Sequence, residues 1–256
     1  MQVRMNSPLA ATVATAFIAL AATSGTAHAG QAPAPPRSAR EAAPIDPTGV
    51  WVAVITEDWR WRMLVQKPGD ATSVPLNEAG TKAAKEWDPA RDAATGEVCK
   101  PFGPGGVMRL PLRIRVSWAD DQTLKVETEA GQQTRLFPVA PVPRGAPIAV
   151  TPIEPGPAKS PSLQGSTVAR WNGSTLEAVT NSTTGGYLRR NGVPYSANAL
   201  IREYWNVHTD YDVQYLSVTT AVRDPMYLRQ DFLTGSSFRK VTDSDPKWAP
   251  FPCDKL

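Results

Sequence analysis

The sequence predicts a mainly β protein whose antiparallel strands close into a lipocalin-like (calycin-like) barrel with one short helix. Most apolar segments alternate at every second residue, the period of a half-buried strand. Turn residues such as Asn-Gly separate these segments at short intervals, as in antiparallel hairpins. Only one segment repeats its apolar residues at helical spacing. A curled sheet with short connections is closed most economically as a barrel.

In the first half of the chain the patterns predict two long strands with the helix between them. Residues 51–63 alternate strictly, which puts Glu57 on the same face as Trp51. Residues 76–87 keep apolar side chains at helical spacing, and Pro89 follows the end of that helix. Residues 107–118 alternate most cleanly of all. These two strands and the helix make up the first half of the predicted fold.

Three hairpins and a last strand are predicted further along. The hairpin strands are 123–129 with 132–139, 166–171 with 174–180, and 200–208 with 213–222, followed by a last strand at 232–241. Asn172-Gly173 is the strongest turn signal among them, because both residues accept the positive φ values of a tight hairpin turn. Residues 140–161 are rich in proline, which cannot donate to a strand ladder, so a surface connection is expected there.

Composition narrows the class of protein. With 27 Lys+Arg against 24 Asp+Glu the net charge is +3, which argues against a nucleic-acid-binding protein. Two cysteines and two histidines argue against a zinc finger, a disulfide-dense scaffold and most histidine-built metal sites. The glycine-rich segments lack the spacing of nucleotide-binding loops. We therefore expect neither a metal site nor a cofactor.

The N-terminal residues have the pattern of an export signal. Arg4 precedes an uncharged apolar stretch at 8–22, and Ala27-His28-Ala29 fits the small-x-small cleavage rule. The stretch is short for a membrane span, so cleavage after Ala29 is favoured over a retained anchor. The domain organisation predicted is a signal peptide at 1–29, a flexible Pro/Ala-rich lead at 30–47 and a single barrel-like domain at 48–256. We therefore expect a periplasmic or secreted protein that is not stably inserted in a membrane.

The cysteines are expected to pair once the chain is exported. Cys99 and Cys253 are the two in the sequence, and an oxidising compartment favours a disulfide between them. Such a bridge would tie the last residues to the first third of the chain. The alternative, a thiol nucleophile, needs a base and a reducing environment.

Several short blocks carry a family resemblance. They are Gly165-Ser166, Trp171-Asn172-Gly173, Leu176, Thr180, Arg202-Glu203-Tyr204, Val222-Arg223-Asp224-Pro225 and Cys253. Together they resemble a widespread, uncharacterised family of exported bacterial β-rich proteins, and the resemblance implies no activity. The chain departs from that pattern in placing Arg202 before Glu203, where members of the family usually have Glu before Arg.

A second resemblance concerns the first strand. Gly49-Val50-Trp51 is similar to the lipocalin G-x-W signature. That resemblance implies a late arginine packed on the tryptophan, for which Arg239 is the candidate. It serves as an architectural analogy and carries no function.

Two glutamates stand where apolar residues are expected. Glu57 lies on the face of Trp51, and Glu203 lies between Ile201 and Trp205. Burial raises the pKa of a carboxyl group, and this is how a carboxyl group comes to act as a general acid or base near neutral pH. The alternatives are that these faces point outward or that each glutamate pairs with an internal arginine.

Basic residues and one histidine are further candidates. Arg109, Arg113 and Arg115 share one strand face, and Arg60 and Arg62 share another. Converging arginines would hold a carboxylate or phosphate, but the outer surface is the favoured place for these faces. His208, the only histidine after residue 29, precedes Asp210 and either acts with it as a base or is a polar turn residue. The hypothesis of a catalytic set therefore consists of Glu57, Glu203 and His208.

Three functional hypotheses follow. The leading one is a binding or carrier module for an apolar or aromatic small molecule. Its expected ligand-binding residues are Trp51, Trp59, Trp61, Met108 and Trp205 inside the barrel, and Tyr187 and Tyr195 on a loop at 185–195. The second is a cofactor-free lyase or isomerase that uses the buried carboxylates. The third is an interaction protein of the cell envelope.

Overall fold

The computed structural model describes residues 37–141, 147–242 and 245–255, and within them the chain is mostly β. The strands are β1 Gly49–Val54, β2 Arg113–Trp118, β3 Thr123–Thr128, β4 Thr134–Pro138, β5 Ser166–Asn172, β6 Thr175–Asn181, β7 Gly186–Arg189, β8 Val193–Tyr195, β9 Leu200–Asp210, β10 Val213–Arg223 and β11 Phe232–Lys240. The helices are α1 Trp59–Arg62, α2 Glu78–Lys85 and α3 Pro89–Ala94, and the 3-10 turns are Lys100–Phe102, Val107–Arg109 and Cys253–Lys255.

Nine of these strands form one antiparallel sheet that is nearly closed into a barrel. The strand order is β4-β3-β2-β1-β11-β10-β9-β6-β5. The two edge strands meet just beyond β4, where Val139 forms a parallel bridge with Ala169 and the Ala140 N–H donates to the Ala169 carbonyl at 2.9 Å. The predicted fold class is therefore confirmed.

The barrel interior is filled with side chains. Alternate residues of each strand face inward, as Ile201, Glu203 and Trp205 do on β9. The packed core holds Trp51, Ile114, Val116, Leu124, Val126, Phe137, Ala169, Trp171, Leu176, Ala178, Trp205, Leu216, Val218 and Phe238. Burial of these side chains is the main source of stability in such a fold.

The first strand shows why glycine precedes Trp51. A Cβ on Gly49 would lie 2.9 Å from Cε of Lys240, whose ammonium group lies 5.3 Å from the centre of the Trp51 ring. Gly49 thus leaves room for the cation on the tryptophan. The expectation that Arg239 fills this role is wrong, because Arg239 is paired with Val52 one register position away and binds Asp245.

A cap covers the end of the sheet where β9 begins, β10 ends and β11 begins. It consists of α2, the hairpin β7–β8 and their connections, and its apolar side chains form a second core with the strand ends. That core contains Val74, Leu76, Ala84, Leu188, Val193, Tyr195, Ala199, Ile201, Val222, Leu228 and Phe232. Asp224 fastens the hairpin by accepting from the N–H and hydroxyl of Ser196 at 2.6 and 2.7 Å.

Part of the N-terminal lead packs on the barrel. Ala39 is fully buried, and its carbonyl accepts from Nε1 of Trp171 at 2.8 Å. Nε1 of Trp51 donates in the same way to the Pro47 carbonyl at 2.9 Å. The predicted signal peptide lies outside the described residues.

Two predicted strands differ from the structure. β1 ends at Val54, and Asp58 has a φ of 60°, so residues 59–62 turn into a short helix although they alternate. The strand predicted at 107–118 begins only at Arg113, because residues 107–109 follow Gly105-Gly106 and form a 3-10 turn. In both places tertiary context outweighs the period-two pattern.

The remaining predicted elements are present apart from their ends, and α3 and the hairpin β7–β8 are further elements that the patterns did not predict. Asn77 caps α2, accepting from the Gly80 N–H at 2.9 Å. The three predicted hairpins are present as β3–β4, β5–β6 and β9–β10, and β11 is the last strand. The disulfide between Cys99 and Cys253 is present, with Cα atoms 5.3 Å apart. The described part of 140–161 contains no strand. None of the helices in the described ranges is both long and apolar enough to cross a membrane.

Candidate ligand site in the cap

The three residues of the catalytic hypothesis lie apart. Glu57 is exposed and accepts from the hydroxyl of Ser237 at 3.2 Å, on the outward face of β11. Glu203 faces the barrel interior, where it is fully buried. His208 lies about 17 Å further along β9 at 3.4 Å per residue, is exposed, and stacks on Tyr215. The expectation that Glu57 is enclosed by aromatic neighbours on the first strand is wrong, because that strand has already ended.

Glu203 forms a buried ion pair with Arg135. Nη1 and Nη2 of the arginine donate to the two carboxylate oxygens at 2.9 and 2.5 Å, and the side chains are 1% and 0% exposed. This is the internal-arginine alternative that the sequence left open. The neighbouring Arg202 points outward and donates to the Ile153 carbonyl, so the Arg-Glu order in the chain does not decide the pair.

The seven predicted ligand-binding residues occupy three different settings. Trp51, Met108 and Trp205 belong to the packed core. Trp59 is 57% exposed, while Trp61 is half-buried against arginine side chains. Tyr187 and Tyr195 are buried in the cap, where residues 186–195 form the hairpin β7–β8 rather than an open loop.

A cavity of about 300 Å³ lies between this hairpin, the helical connections and the C-terminus. We call it the aromatic cavity. Its walls include Val65, Trp87, Val98, Phe102, Tyr187, Arg190 and the disulfide-bonded Cys253. The cavity is half open to solvent, and three aromatic rings along one such cavity are typical of a site for an apolar or aromatic ligand.

Asp92 holds two of the rings in place. Its Oδ2 accepts from the Tyr187 hydroxyl at 2.6 Å and from Trp87 Nε1 at 2.8 Å, and the two rings meet edge to face at 6.0 Å. A Cβ on Gly192, whose φ is +80°, would lie 2.0 Å from the Trp87 ring, so only glycine fits behind it. The geometry of the aromatic wall is therefore set before any ligand arrives.

The surroundings of the cavity keep the hydroxyl group of Tyr187 protonated. Burial and then the Asp92 carboxylate raise the pKa of Tyr187 above its ordinary value, so its hydroxyl remains a donor. Nζ of Lys100 lies 3.8 Å from Asp92 and 5.6 Å from the Tyr187 ring centre. Arg190 lies at another wall, donates to the Met63 carbonyl at 3.0 Å, and has a pKa lowered by burial.

A second feature of the cap is a group of buried arginines, which we call the arginine cluster: Arg62, Arg109 and Arg189. Their relative exposures are 1%, 6% and 7%. The expectation of outer arginine faces is thus wrong for Arg62 and for Arg109. It is wrong because Arg109 lies in a 3-10 turn, whereas Arg115 on β2 is 42% exposed and pairs with Glu127.

Sequence patterns missed most of this site. Trp87 was assigned to the helix face, Phe102 carried no signal, and Arg62 was placed on the first strand, which ends at Val54. Tyr187 was found because the glycine-flanked segment 185–195 concentrates tyrosine and arginine. Among the described residues no group of three His, Cys, Asp or Glu side chains lies close enough to hold a metal ion.

Comparisons with protein-family models, with curated proteins and with solved structures find no match to this chain.

Proposed function

We propose that this chain is an exported small-molecule binding module and that the apolar or aromatic body of its ligand occupies the aromatic cavity. The observation that carries the proposal is the convergence of Trp87, Phe102 and Tyr187 on one half-open cavity of about 300 Å³. That volume lies at the lower end of the range for ligand pockets, which suits a compact molecule.

The cap is a better place for the ligand than the barrel interior. Trp51 and Trp205 in the interior are 0% and 1% exposed and pack against other core side chains. The aromatic cavity, in contrast, has fixed walls, because Asp92 binds both Trp87 and Tyr187. A wall that is already ordered reduces the entropy lost on binding.

The disulfide supports the exported part of the proposal. Disulfides persist in oxidising compartments and are rare in the cytosol. Cys253 also lines the aromatic cavity, and its bond to Cys99 joins the C-terminal wall to the helical one. We include cleavage after Ala29 and a periplasmic or secreted location in the proposal.

The neutral fluorophore N-phenyl-1-naphthylamine tests the proposal. Its emission rises on transfer from water to an apolar site, so titration reports binding directly. We expect saturable binding to the mature protein at one site per chain. Val98→Trp, which places an indole at the cavity wall, should weaken binding at least about tenfold, equivalent to ~1.4 kcal/mol.

Val150→Trp is the matched control, because Val150 is 96% exposed and does not line the cavity. It adds the same ring and should leave dye affinity unchanged. Equal affinity in wild type and Val98→Trp would place the dye elsewhere and contradict the proposed site. Absence of saturable binding to wild type would contradict it as well.

A further inference from the structure

The arginine cluster is assembled from three distant parts of the chain. Nε of Arg62 donates to the Arg109 carbonyl at 3.1 Å, and Nη2 of Arg109 lies 2.5 Å from Oδ2 of Asp58. The Arg189 guanidinium stacks on the Trp61 ring at 4.0 Å. Asp58 and Trp61 belong to the α1 turn that also carries Arg62, so this turn brings the three cations together.

The cluster leaves guanidinium N–H groups unpaired. Nη2 of Arg62, Nε of Arg109 and both Nε and Nη1 of Arg189 are buried and have no hydrogen-bond partner among the described residues. A buried unpaired donor costs about 1–3 kcal/mol, and more when the group is charged. Four such atoms in one cluster are a concentrated cost to the folded state.

Negative charge in this region is sparse. Asp58 makes the one ion pair of the cluster within the described residues, and its side chain is 49% exposed. Glu57 and Asp70 act on Arg62 and Arg189 only through space. Burial, followed by the charge on Arg109, lowers the pKa of Arg189 to about 10. The cluster thus carries more positive than negative charge.

We propose that Arg62, Arg109 and Arg189 form a binding site for an oxyanion, the carboxylate or phosphate group of a small molecule. Asp58 occupies part of that site in the free protein. A guanidinium fork matches the geometry of such groups and binds them through two parallel hydrogen bonds. An oxyanion would supply acceptors to the unpaired N–H groups and displace the half-exposed Asp58 carboxylate from Arg109.

The oxyanion site rests on different residues from the aromatic cavity and does not depend on it. The connection between them is Arg190, which lines the cavity and donates to the carbonyls of Arg62 and Met63. Failure of neutral-dye binding would therefore leave this inference intact, and the reverse also holds.

The test is calorimetric titration of the mature protein with inorganic phosphate and, in a second arm, with acetate, each at constant ionic strength set with chloride. We expect one oxyanion to bind saturably at one site per chain. Asp58→Asn removes the competing charge and should tighten binding about tenfold, equivalent to ~1.4 kcal/mol. Arg189→Gln should weaken it by at least the same factor.

The control is Arg223→Gln, which removes an arginine whose side chain is 66% exposed and already paired with Asp231. It should leave anion affinity unchanged, and thermal unfolding should show that every variant is folded. Saturable binding of only phosphate or only acetate would support the site and would show whether it binds a phosphate or a carboxylate group. Binding of neither anion to wild type and Asp58→Asn would overturn the inference, as would equal affinity in Arg189→Gln.

Discussion

The protein buries arginine in two ways, and the contrast separates structure from site. Inside the barrel, both terminal nitrogens of Arg135 bind the Glu203 carboxylate. In the cap, Arg189 stacks on Trp61 but has two guanidinium nitrogens without a partner among the described residues. Both side chains are less than a tenth exposed. The charge of Arg135 is neutralised by a carboxylate of the same chain, whereas Arg189 forms no ion pair with the described residues.

This contrast teaches that burial of a charged group is not by itself a functional signal. Glu203 stands at an apolar position of its strand and on that ground is a candidate acid or base. Its salt bridge to Arg135 gives it a structural role, because each buried charge compensates for the solvation that the other has lost. Nε of Arg135 is also buried without a partner, so an unpaired N–H group alone does not separate the two arginines. Arg189 differs because no carboxylate of the described residues forms an ion pair with it, whereas Arg135 pairs with Glu203.

The largest effect is expected from breaking the interior pair. Glu203→Gln leaves Arg135 buried without its counter-charge, and such a loss costs about 3–5 kcal/mol of folding free energy. Arg135→Met should cost a similar amount for the same reason. Urea unfolding of each variant measures the change.

The double variant Arg135→Met with Glu203→Leu sharpens this test. Replacing a whole buried pair with apolar residues is often neutral, so most of the loss should be recovered. If each single variant lost less than about 1 kcal/mol, the pair would not be the structural element that its geometry indicates.

The disulfide is expected to have the next largest effect, and it acts on the cap. Its two cysteines are separated by 154 positions in the chain. Chain-entropy models give up to about 5 kcal/mol for so long a loop, and measured losses are about 2–5 kcal/mol. Cys99→Ser with Cys253→Ser should therefore lower the urea midpoint and weaken N-phenyl-1-naphthylamine binding, because Cys253 lines the aromatic cavity.

If the double variant were less stable but bound the dye with unchanged affinity, the disulfide would have no role in forming the aromatic cavity. The matched control is the wild-type chain in which a thiol has reduced the bond between Cys99 and Cys253. It should match the double variant in both measurements, since the two sulfur atoms are then present but unbonded.

Local sequence signals predicted the barrel strands well where the pairing partner is close in the chain. The two residues between β9 and β10, Tyr211 and Asp212, have φ values of 45° and 61°, and the strands on either side are joined in register for their full length. Hairpins of this kind depend on turn residues and alternation, both visible in one sequence. No single residue indicates how the hairpins join into a barrel. The barrel was predicted from the general rule that a curled antiparallel sheet with short connections tends to close on itself.

The cap could not be predicted in the same way. Residues 59–62 alternate like a strand, yet the positive φ of Asp58 turns them into a helix that delivers Arg62 to Arg109. The contact between Arg189 and Trp61 joins residues far apart in the chain. No periodic pattern reports such contacts, because they depend on how the connections fold back on the barrel end. The disulfide was predictable only because the chain has two cysteines.

A smaller effect on stability is expected from Arg189→Met, and it tests the comparison directly. The substitution removes two unpaired buried nitrogens but also the stack on Trp61, worth about 0.5–2 kcal/mol. These contributions oppose each other, so the free energy of unfolding should change by less than about 1 kcal/mol. Urea unfolding beside Arg135→Met measures the difference, and an equal loss in the two variants would remove the distinction between the two arginines.

The smallest effect is expected from an ion pair on the outer surface. Hydrogen bonds from Arg239 and from the Thr242 backbone N–H hold the pKa of Asp245 well below its ordinary value of 3.8. As the pH falls below that value the unfolded chain takes up the proton first, so the stability from this pair is present above about pH 4 and lost progressively below it. Asp245→Asn should lower the urea midpoint slightly at neutral pH and leave it less dependent on pH in the acid range.

Partial exposure explains why this change is small although the shift in pKa is large, since the Arg239 and Asp245 side chains are 34% and 19% exposed, against 1% and 0% for Arg135 and Glu203. Solvent screens the pair, and such surface pairs contribute little to stability. Asp231→Asn, which breaks the exposed pair with Arg223, is the control and should behave similarly. If Asp245→Asn destabilised the protein as much as Glu203→Gln does, burial would not be what separates the strong ion pair from the weak one. The distinction between the barrel interior and its surface would then need another physical basis.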